Sequence, residues 1–240
     1  MRIAVLSDIH SNLVALDAIL AHAGPLDAIW HLGDVVGYGP DPDGVVARLA
    51  ESGAVGVRGN HDAAAIGGPE IEWFNPEARA AIEWTRDHIS PTTRDWLAAH
   101  PERRVMGDVT LVHGSPRDPL REYVTSKAVA AANFRVLETG HALHGHTHVP
   151  LAFLEAGDGI AIALPTVGTE QSFEGQRSLI NPGSVGQPRD GDPAASYLIL
   201  DPDTMTASWQ RVPYDIAAVQ AAMLALELPR RLADRLSVGL

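Results

Sequence analysis

The sequence of 240 residues contains no cysteine. This absence excludes disulfide-held folds, cysteine-based zinc fingers, iron–sulfur clusters and thiol nucleophiles. Aromatic residues make up only 5 % of the chain, and 30 acidic residues against 18 basic ones give a formal net charge of −12. Because an acidic chain repels a long phosphate backbone, we expect no binding to long nucleic acids. Any metal in this protein must be held by nitrogen and oxygen, and the chain has 11 histidines.

Long hydrophobic runs are also missing. The first apolar run, residues 3–6, ends at Ser7 and Asp8, and no stretch reaches the roughly 18 consecutive apolar residues of a membrane-spanning helix. The sequence therefore predicts neither a secretion signal nor a membrane segment, and we expect a cytoplasmic protein. Hydrophobic residues nevertheless make up 45 % of the chain, which is enough for a substantial core.

The order of the apolar segments predicts an α/β fold. Short apolar runs at 3–6, 27–32 and 54–57 are typical of buried strands. Between them, at 13–23 and 45–50, apolar residues recur with the spacing of a helix. Such a series implies parallel strands joined by helical crossovers. Further helices are predicted at 66–100, 126–138 and 215–228, and further strands at 109–112, 143–145, 151–154, 160–163, 179–181 and 197–200. We interpret residues 1–240 as one domain with two packed sheets.

Residues that can bind metals follow five of these strands. They are Asp8 and His10; Asp34; Asn60 with His61 and Asp62; His113; and His146 with His148. In open α/β sheets this carboxyl edge is where ligands bind. Residues two apart in an extended chain point to the same side, so Asp8 and His10 can present two ligands together. Imidazole, amide and carboxylate donors suit Mn, Fe, Co, Ni or Zn and disfavour calcium.

In this order, the motifs resemble those of the calcineurin-like metallophosphoesterases. Segments 33–40 and 181–184 are similar to the small bacterial and archaeal phosphodiesterase-like members, and the resemblance covers about residues 1–200. It implies a four-layer α/β/β/α sandwich, in which helices flank two packed mixed β-sheets. It also implies two divalent metal ions, one held by Asp8, His10, Asp34 and His148, the other by Asp34, Asn60, His113 and His146. Manganese is the expected metal in the active protein, and Zn, Fe, Ni or Co are expected to be able to occupy the same site.

The resemblance further implies a reaction. A metal-bridging hydroxide would attack in line on a phosphodiester or phosphomonoester of a small substrate, and His61, which matches the family's catalytic histidine, would protonate or stabilise the leaving oxygen. The sequence lacks the Gly-Asp-x-x-Asp-Arg-Gly motif of the protein phosphatase branch, because residues 36–39 depart from it, and this disfavours a phosphoprotein substrate. The alternative is a catalytically weak scaffold of this fold that acts as a protein-interaction module. Because every ligand position and His61 are filled, the enzyme is favoured.

Other polar residues are weaker candidates. Substrate binding is predicted for Asn12, Arg58, Arg117 and Asn181, with salt bridges as an equally good interpretation of the two arginines. His144 adjoins the last motif, and we expect it in the core or beside the site rather than as a ligand. Structural or surface roles are expected for His22, His31, His88, His100 and His141.

Two regions outside the motifs carry further expectations. Residues 66–100 are interpreted as a helical insertion near the site, and their tryptophans (73, 84 and 96) as helix-packing residues rather than a base-stacking platform. Residues 229–240, with three arginines, are interpreted as a short basic helical tail that packs on the body or on a second subunit. A homo-oligomer is compatible with the sequence, but nothing in it specifies one.

Overall fold

A computed structural model describes residues 1–157 and 159–240. The strands are β1 (Ile3–Leu6), β2 (Ala28–His31), β3 (Val55–Gly56), β4 (Arg103–Met106), β5 (Val109–Val112), β6 (His141–Leu143), β7 (Leu151–Ala156), β8 (Gly159–Ala163), β9 (Glu170–Ser172), β10 (Ser178–Asn181), β11 (Ala195–Asp201) and β12 (Thr206–Val212). The helices are α1 (Leu13–Ala23), α2 (Pro42–Glu51), α3 (Asn60–Ala65), α4 (Pro76–His88), α5 (Pro91–Ala99), α6 (Lys127–Phe134), α7 (Ile216–Ala225) and α8 (Arg230–Asp234). Short 3₁₀ segments lie at Pro69–Trp73 and Arg235–Ser237. Within the described ranges, none of the helices combines the length and hydrophobicity needed to cross a membrane.

The strands form two six-stranded mixed sheets. The first has the order β3-β2-β1-β11-β12-β9, and the second has the order β4-β5-β6-β10-β7-β8. In the first sheet β1, β2 and β3 are parallel, and in the second β5, β6 and β10 are parallel. The carboxyl ends of parallel neighbours lie at the same edge, so the loops after these strands meet there.

Apolar layers explain why β1 is hydrophobic on both faces. Ile3 and Val5 point between the two sheets, where they pack in one cluster with Leu111 and Leu143 of the second sheet. Ala4 and Leu6 point outward into another cluster, which includes residues of α1 and α2. A third cluster joins α6 to the outer face of the second sheet. The predicted order of helix, sheet, sheet and helix layers is therefore confirmed.

Several predicted boundaries differ from the structure. The strand expected at 143–145 is β6, which begins two residues earlier and ends at Leu143, before the loop that contains His146 and His148. Strands β4, β9 and β12 and helix α3 were not predicted. Strand β4 has the alternating exposure of an edge strand, and the three residues of β9 are all polar. Neither has the continuous apolar run that indicates a buried strand.

The C-terminal residues pack on the body next to the loop that follows β2. Leu232 and Leu236 are buried in a cluster with Tyr38 of that loop, with residues of α7 such as Met223, and with Ala78 of α4. The basic tail thus begins as α8 and continues as a 3₁₀ turn. It supports one side of the site described next.

Candidate active site

The loops after β1, β2, β3, β5 and β6 bring the predicted metal-binding residues together. Three buried groups have ligand atoms that all lie within 4.8 Å of one another: Asp8 with His10 and His148; His10 with Asp34 and His61; and Asp34 with His113 and His146. Residues from strand ends up to 140 positions apart in sequence thus form one continuous cluster. Parallel pairing within each sheet and the packing of the two sheets account for this convergence.

Asp34 lies at the centre of the cluster. Its Oδ2 atom is 3.7 Å from Nε2 of His10 and 3.3 Å from Nε2 of His113. Its Oδ1 atom accepts a hydrogen bond from the backbone N–H of His61 at 2.9 Å. One oxygen of this carboxylate therefore faces both sets of ligands, as a bridging ligand must.

The first set surrounds Asp8. Nε2 of His148 lies 3.2 Å from Asp8 Oδ1 and 3.3 Å from Nε2 of His10. The other oxygen of Asp8 accepts hydrogen bonds from Ser7 Oγ and from the backbone of His146. Oδ1 is buried and has no hydrogen-bond partner among the described residues. A buried, unpaired carboxylate oxygen is costly unless a cation is present, so Oδ1 is well suited to bind one.

The second set surrounds His113. Its Nε2 atom lies 3.0 Å from Asn60 Oδ1 and 3.0 Å from Nδ1 of His146. Asp34 Oδ2 completes this set. These three neighbours offer an amide oxygen, an imidazole nitrogen and a carboxylate oxygen, which together suit a borderline transition metal.

Backbone carbonyls determine the tautomers of three of these histidines. Nδ1 of His10 faces the carbonyl of Val36 at 3.2 Å, and Nδ1 of His148 faces that of Gln187 at 2.6 Å. Nδ1 of His113 likewise faces a carbonyl, that of Leu32, at 2.9 Å. Because a carbonyl only accepts, each Nδ1 carries a hydrogen, and each ring in its neutral form presents its lone pair at Nε2.

The lone pairs of these rings point at one another and at oxygen atoms, an arrangement that is repulsive without a cation between them. Donor atoms bound to one ion at about 2.0–2.2 Å are about 3.0–3.5 Å apart, which is close to the 3.0–3.7 Å observed here. The other ring nitrogen of each histidine is held by a carbonyl, as is usual for metal-binding histidines. The residues therefore fit two divalent ions that share Asp34.

The electrostatics of the cluster favour metal binding. Burial lowers the pKa values of His10, His146 and His148 well below their usual range, so these rings are neutral and can ligate. Burial alone would also lower the pKa of His113, but the neighbouring Asp34 carboxylate raises it to about 9. A positive charge between Asp34 and His113 is thus stabilised, whether a proton or a metal ion carries it.

Backbone strain is concentrated at the same place. Nine non-glycine residues in the described ranges have positive φ angles, and seven of them lie in the loops around the cluster. Five of these seven are predicted metal ligands: Asp8, His10, Asp34, His146 and His148. Each such residue costs of order 1–3 kcal/mol, and such strain is typical of functional sites. The surrounding packing thus holds the ligand side chains in one orientation at the expense of stability.

His61 lies beside the ligands under an aromatic cover. Its ring stacks on Phe74 with a centroid distance of 4.4 Å and contacts Tyr38 at 4.4 Å. Burial lowers the pKa of His61 to about 4, and its Nδ1 atom has no hydrogen-bond partner among the described residues. Gly37 has a φ of +91°, and a Cβ there would lie 2.6 Å from this Nδ1, so glycine is required for the ring to fit.

Asp62 ties the loop after β3 to the loop after β2. Its carboxylate accepts the backbone N–H groups of Gly59 at 2.9 Å and Val36 at 3.0 Å. Burial, with the nearby Asp34 charge, raises the pKa of Asp62 to about 7. We interpret Asp62 as the residue that positions Asn60 and His61 at the start of α3.

A narrow cleft of about 100 Å³ opens onto the cluster. Besides predicted site residues, it is lined by Tyr38, residues 73–75, Ala78, Tyr123 and Arg189. Tyr38 belongs to segment 33–40, which is distinctive in the sequence only through its resemblance to the family. Tyr123 and Arg189 follow no strand-end motif, and no local pattern distinguishes Arg189 from the other arginines of the chain. These residues reach the cleft only through tertiary packing.

The predicted substrate-binding residues are engaged elsewhere. Asn12 caps α1 and donates to the carbonyl of Gly186, and Asn181 bonds to Gly145 and Thr147. Their side chains hold loops of the site in place. The two arginines form ion pairs with acidic neighbours, Arg58 with Glu102 and Arg117 with Glu122. None of these four side chains lines the 100 Å³ cleft. Both arginines form the salt bridges that were the alternative interpretation.

Trp73 is not the helix-packing residue that the sequence predicted. Trp73 lies at the mouth of the cleft, 42 % exposed, with the Arg121 guanidinium 3.5 Å above its ring. The 3₁₀ segment before α4 turns this side chain outward instead of into the helix packing. Trp84 and Trp96 do pack beside helices, where they contact His88 and His100.

The histidines outside the motifs have structural contacts. His144 is buried, burial lowers its pKa to about 4, and Asn181 lies 3.4 Å from its Nδ1 atom. It belongs to none of the three groups with metal-binding geometry in the described ranges. The same is true of His22, His31, His88, His100 and His141.

Comparisons with known proteins agree with this geometry. A model of the calcineurin-like phosphoesterase superfamily domain matches residues 1–205. The uncharacterized protein MJ0912 of Methanocaldococcus jannaschii is 36 % identical over 99 % of this chain and 98 % of its own. Phosphodiesterase YfcE of Escherichia coli is 28 % identical over 86 % and 90 % of the two chains.

A solved structure is similar over the whole length. The metallophosphoesterase from Sphaerobacter thermophilus superposes with a TM-score of 0.92, covers 100 % of this chain and 99 % of its own, and is 45 % identical. The match therefore includes the strands and the loops that form the cluster. The chain belongs to the calcineurin-like phosphoesterase superfamily.

Proposed function

We propose that this protein hydrolyses a phosphodiester or phosphomonoester bond of a small substrate with the help of two divalent metal ions. The observation that carries the proposal is the pair of ligand sets that share Asp34, with imidazole lone pairs directed between them. Membership of a phosphoesterase superfamily supports hydrolysis of phosphoesters, and the similarity to a phosphodiesterase supports the diester as one substrate.

The ligand sets assign residues to each ion. One ion would be held by Asp8, His10, Asp34 and His148, and the other by Asp34, Asn60, His113 and His146. We propose manganese in the active protein, and Zn, Fe, Co and Ni would accept the same donors. When bound, the ions activate a water molecule and neutralise the negative charge of the phosphate. No covalent enzyme intermediate is required.

The chain itself supplies orientation and a proton donor. The strained loops hold the ligands in one geometry, so no reorganisation is needed when the phosphate binds. With a pKa of about 4 in the free protein, His61 is neutral and can donate a hydrogen bond to a phosphate oxygen. A bound phosphate anion favours the protonated ring, and that proton can pass to the leaving oxygen.

The cleft and the net charge restrict the substrate to small molecules. A volume of about 100 Å³ next to the ligands accommodates the reacting phosphate but not a duplex, and the charge of −12 opposes long nucleic acids. Four of the seven proposed ligands (Asp34, Asn60, His146 and His148) and His61 line this cleft, and the other three lie within 3.7 Å of these ligands. That arrangement favours the hydrolase over a scaffold that serves only protein interaction, since a scaffold needs no such convergence.

Hydrolysis of two chromogenic esters tests the proposal. Protein reconstituted with Mn, Co, Ni or Zn is incubated with bis-p-nitrophenyl phosphate and with p-nitrophenyl phosphate. We expect hydrolysis of at least one ester, and severe losses in Asp34→Ala and His61→Ala. The exposed His88, remote from the cleft, gives the matched control His88→Ala, which should keep full activity. Absence of hydrolysis of both esters with all four metals would contradict the proposal.

A further inference from the structure

Arg189 lies in the loop between β10 and β11, outside all five metal-ligand motifs. Backbone hydrogen bonds hold this loop against the site. The N–H of Gly186 donates to the carbonyl of Asp8 at 3.0 Å, and that of Arg189 donates to the carbonyl of His148 at 3.3 Å. The carbonyl of Gln187 accepts from Nδ1 of His148 at 2.6 Å. The backbone of Arg189 is therefore fixed next to two proposed metal ligands.

The side chain of Arg189 is partly buried and lines the 100 Å³ cleft. Its Nη2 atom donates to Gln187 Oε1 at 2.8 Å, and its guanidinium carbon lies 5.8 Å from the centre of the Tyr38 ring. The same ring contacts His61 at 4.4 Å and His10 at 4.5 Å. The guanidinium group thus packs near a ring that the proposed proton donor and a metal ligand also contact.

No side-chain carboxylate of residues 1–157 and 159–240 pairs with the guanidinium group of Arg189. The adjacent Asp190 pairs with Arg211, and the terminal carboxylate of Leu240 accepts from Arg235. Nε of Arg189 is buried without a hydrogen-bond partner in the described residues. The protein therefore uses only part of the donor capacity of this group, and its positive charge is not neutralised at the cleft.

We propose that Arg189 binds a non-bridging oxygen of the reacting phosphate and thereby favours doubly charged phosphomonoesters over singly charged diesters. Asp34, His61 and His146 line the same cleft, and its volume of about 100 Å³ keeps a phosphate beside them within reach of the guanidinium group. Arginine donors match the geometry of phosphate oxygens. This inference rests on the proposed function and assigns a specificity-determining residue to it.

Charge is the reason for the expected preference. At pH 8 a phosphomonoester carries about two negative charges, because its second pKa is about 6, whereas a diester carries one. Attraction to a fixed cation grows with the charge of the anion, so Arg189 stabilises the bound monoester more than the bound diester. The net charge of −12 opposes both anions, which increases the importance of a cation inside the cleft.

Phosphate binding tests the site separately from catalysis. Manganese-loaded, dialysed protein is titrated at pH 8 with inorganic phosphate and with dimethyl phosphate, and calorimetry gives both dissociation constants. We expect Arg189→Gln to weaken phosphate binding about 10-fold or more, because it removes a charge-assisted contact, and dimethyl phosphate binding about threefold or less. Unchanged metal content, measured by elemental analysis, would show that the substitution leaves the metal ligands intact.

Arg189→Lys keeps the charge and removes the paired donors, so its phosphate affinity should fall by about threefold. This variant tests the contact if Arg189→Gln does not fold, and thermal unfolding by circular dichroism verifies the fold of each variant.

Arg135→Gln is the matched control. Arg135 follows α6, is exposed, and does not line the cleft. Its substitution changes the net charge by the same amount, so phosphate affinity should change less than about twofold. Equal phosphate affinity in wild type and the folded Arg189 variants would overturn the proposal. Equal weakening by Arg135→Gln would overturn it too, as would a metal-loaded wild type that binds no phosphate.

Activity gives a second, separable readout. We expect Arg189→Gln to reduce kcat/KM for p-nitrophenyl phosphate at least fivefold more than kcat/KM for bis-p-nitrophenyl phosphate, and equal losses would contradict the charge preference. If the wild type hydrolyses neither ester yet binds phosphate through Arg189, only the proposed function fails. If it hydrolyses esters but the Arg189 variants bind phosphate as tightly as wild type, only the role of Arg189 fails.

Discussion

Two clusters of this protein contain buried histidines in different environments. In the metal-site cluster, the ring nitrogens of His10, His113 and His148 converge on carboxylate or amide oxygens. In a second cluster, His31 of β2 stacks on Trp96 of α5 at a centroid distance of 5.3 Å and contacts His100 at 4.8 Å. Both ring nitrogens of His31 lack hydrogen-bond partners among the described residues.

The difference between the clusters shows that burial of histidine does not by itself produce a metal site. Burial lowers the pKa of His31 well below its usual range, just as it does for His10. However, the groups whose charge acts on His31 are His100 and Arg104, which are both basic, whereas His10 has the Asp34 carboxylate beside it. Metal binding requires lone pairs aimed at a common point together with negative charge, and only the first cluster provides both.

Removal of the shared carboxylate should have the largest effect. In Asp34→Asn the charge common to both ligand sets is lost, so we expect metal content to fall from two ions per chain to one or fewer. Loss of several kcal/mol of transition-state stabilisation should reduce hydrolysis by about 10³-fold or more. Elemental analysis after dialysis, with the chromogenic assay, measures both. His31→Phe should retain two ions, and equal metal loss in both variants would remove the distinction between the clusters.

Metal removal should have the next largest effect. Ions that bind only the folded chain stabilise it by about 4 kcal/mol at a thousandfold excess over the dissociation constant. Chelated wild-type protein should therefore unfold at lower denaturant concentration than the protein with added manganese. Added manganese should stabilise His31→Phe as much as wild type, and it should stabilise Asp34→Asn less. A wild-type transition that does not respond to any of the four metals would count against the site.

His61→Asn should affect catalysis without affecting metal content. General acid catalysis contributes about 10² or more, so kcat should fall by at least that factor while two ions remain bound. The loss should be smaller for p-nitrophenyl esters than for an alkyl ester, because p-nitrophenolate leaves readily without a proton. Full activity with both ions present would contradict the role proposed for His61. Loss of an ion would instead identify it as a ligand, as its place in one of the three groups permits.

The pH dependence of stability should show the smallest effect. Unfolded chains protonate His31 near its ordinary pKa of 6.5, whereas burial keeps the folded ring neutral to lower pH. The unfolded state thus binds more protons below pH 6.5, and the free energy of unfolding falls there by at most about 1.4 kcal/mol per pH unit. Denaturant titrations at pH 7.5 and 5.5 should show a smaller decrease in His31→Phe than in wild type. Identical decreases would contradict this account.

Much of the fold could be predicted from local patterns. Residues 3–6, 13–23 and 109–112 are a strand, a helix and a strand in the structure, with the predicted bounds. Buried strands have continuous apolar runs, and those runs mark where each strand ends. Edge strands β4 and β9 were missed because their residues alternate or are polar, and such patterns also occur in loops.

The candidate site likewise contains residues that could be predicted from the sequence and residues that could not. The convergence of the proposed metal ligands could be predicted because each group follows a strand end, and parallel strands place those ends at one edge. The residues that line the cleft beside them could not be predicted in this way, since side chains such as Arg58 and Arg189 differ in their neighbours and not in any local pattern. Arg58 has Glu102 within reach, and Arg189 has no carboxylate partner in the described ranges.

By itself, the sequence determined which residue types stand at which strand ends, because hydrophobic periodicity and motif spacing are properties of neighbouring residues. Only the tertiary structure decided which histidine nitrogens carry hydrogen and which arginines lack a partner. It also decided that Trp73 and Tyr123 border the cleft. Carbonyls, carboxylates and aromatic rings distant in sequence determine these properties, and they come within contact distance only when the two sheets and their helices have packed.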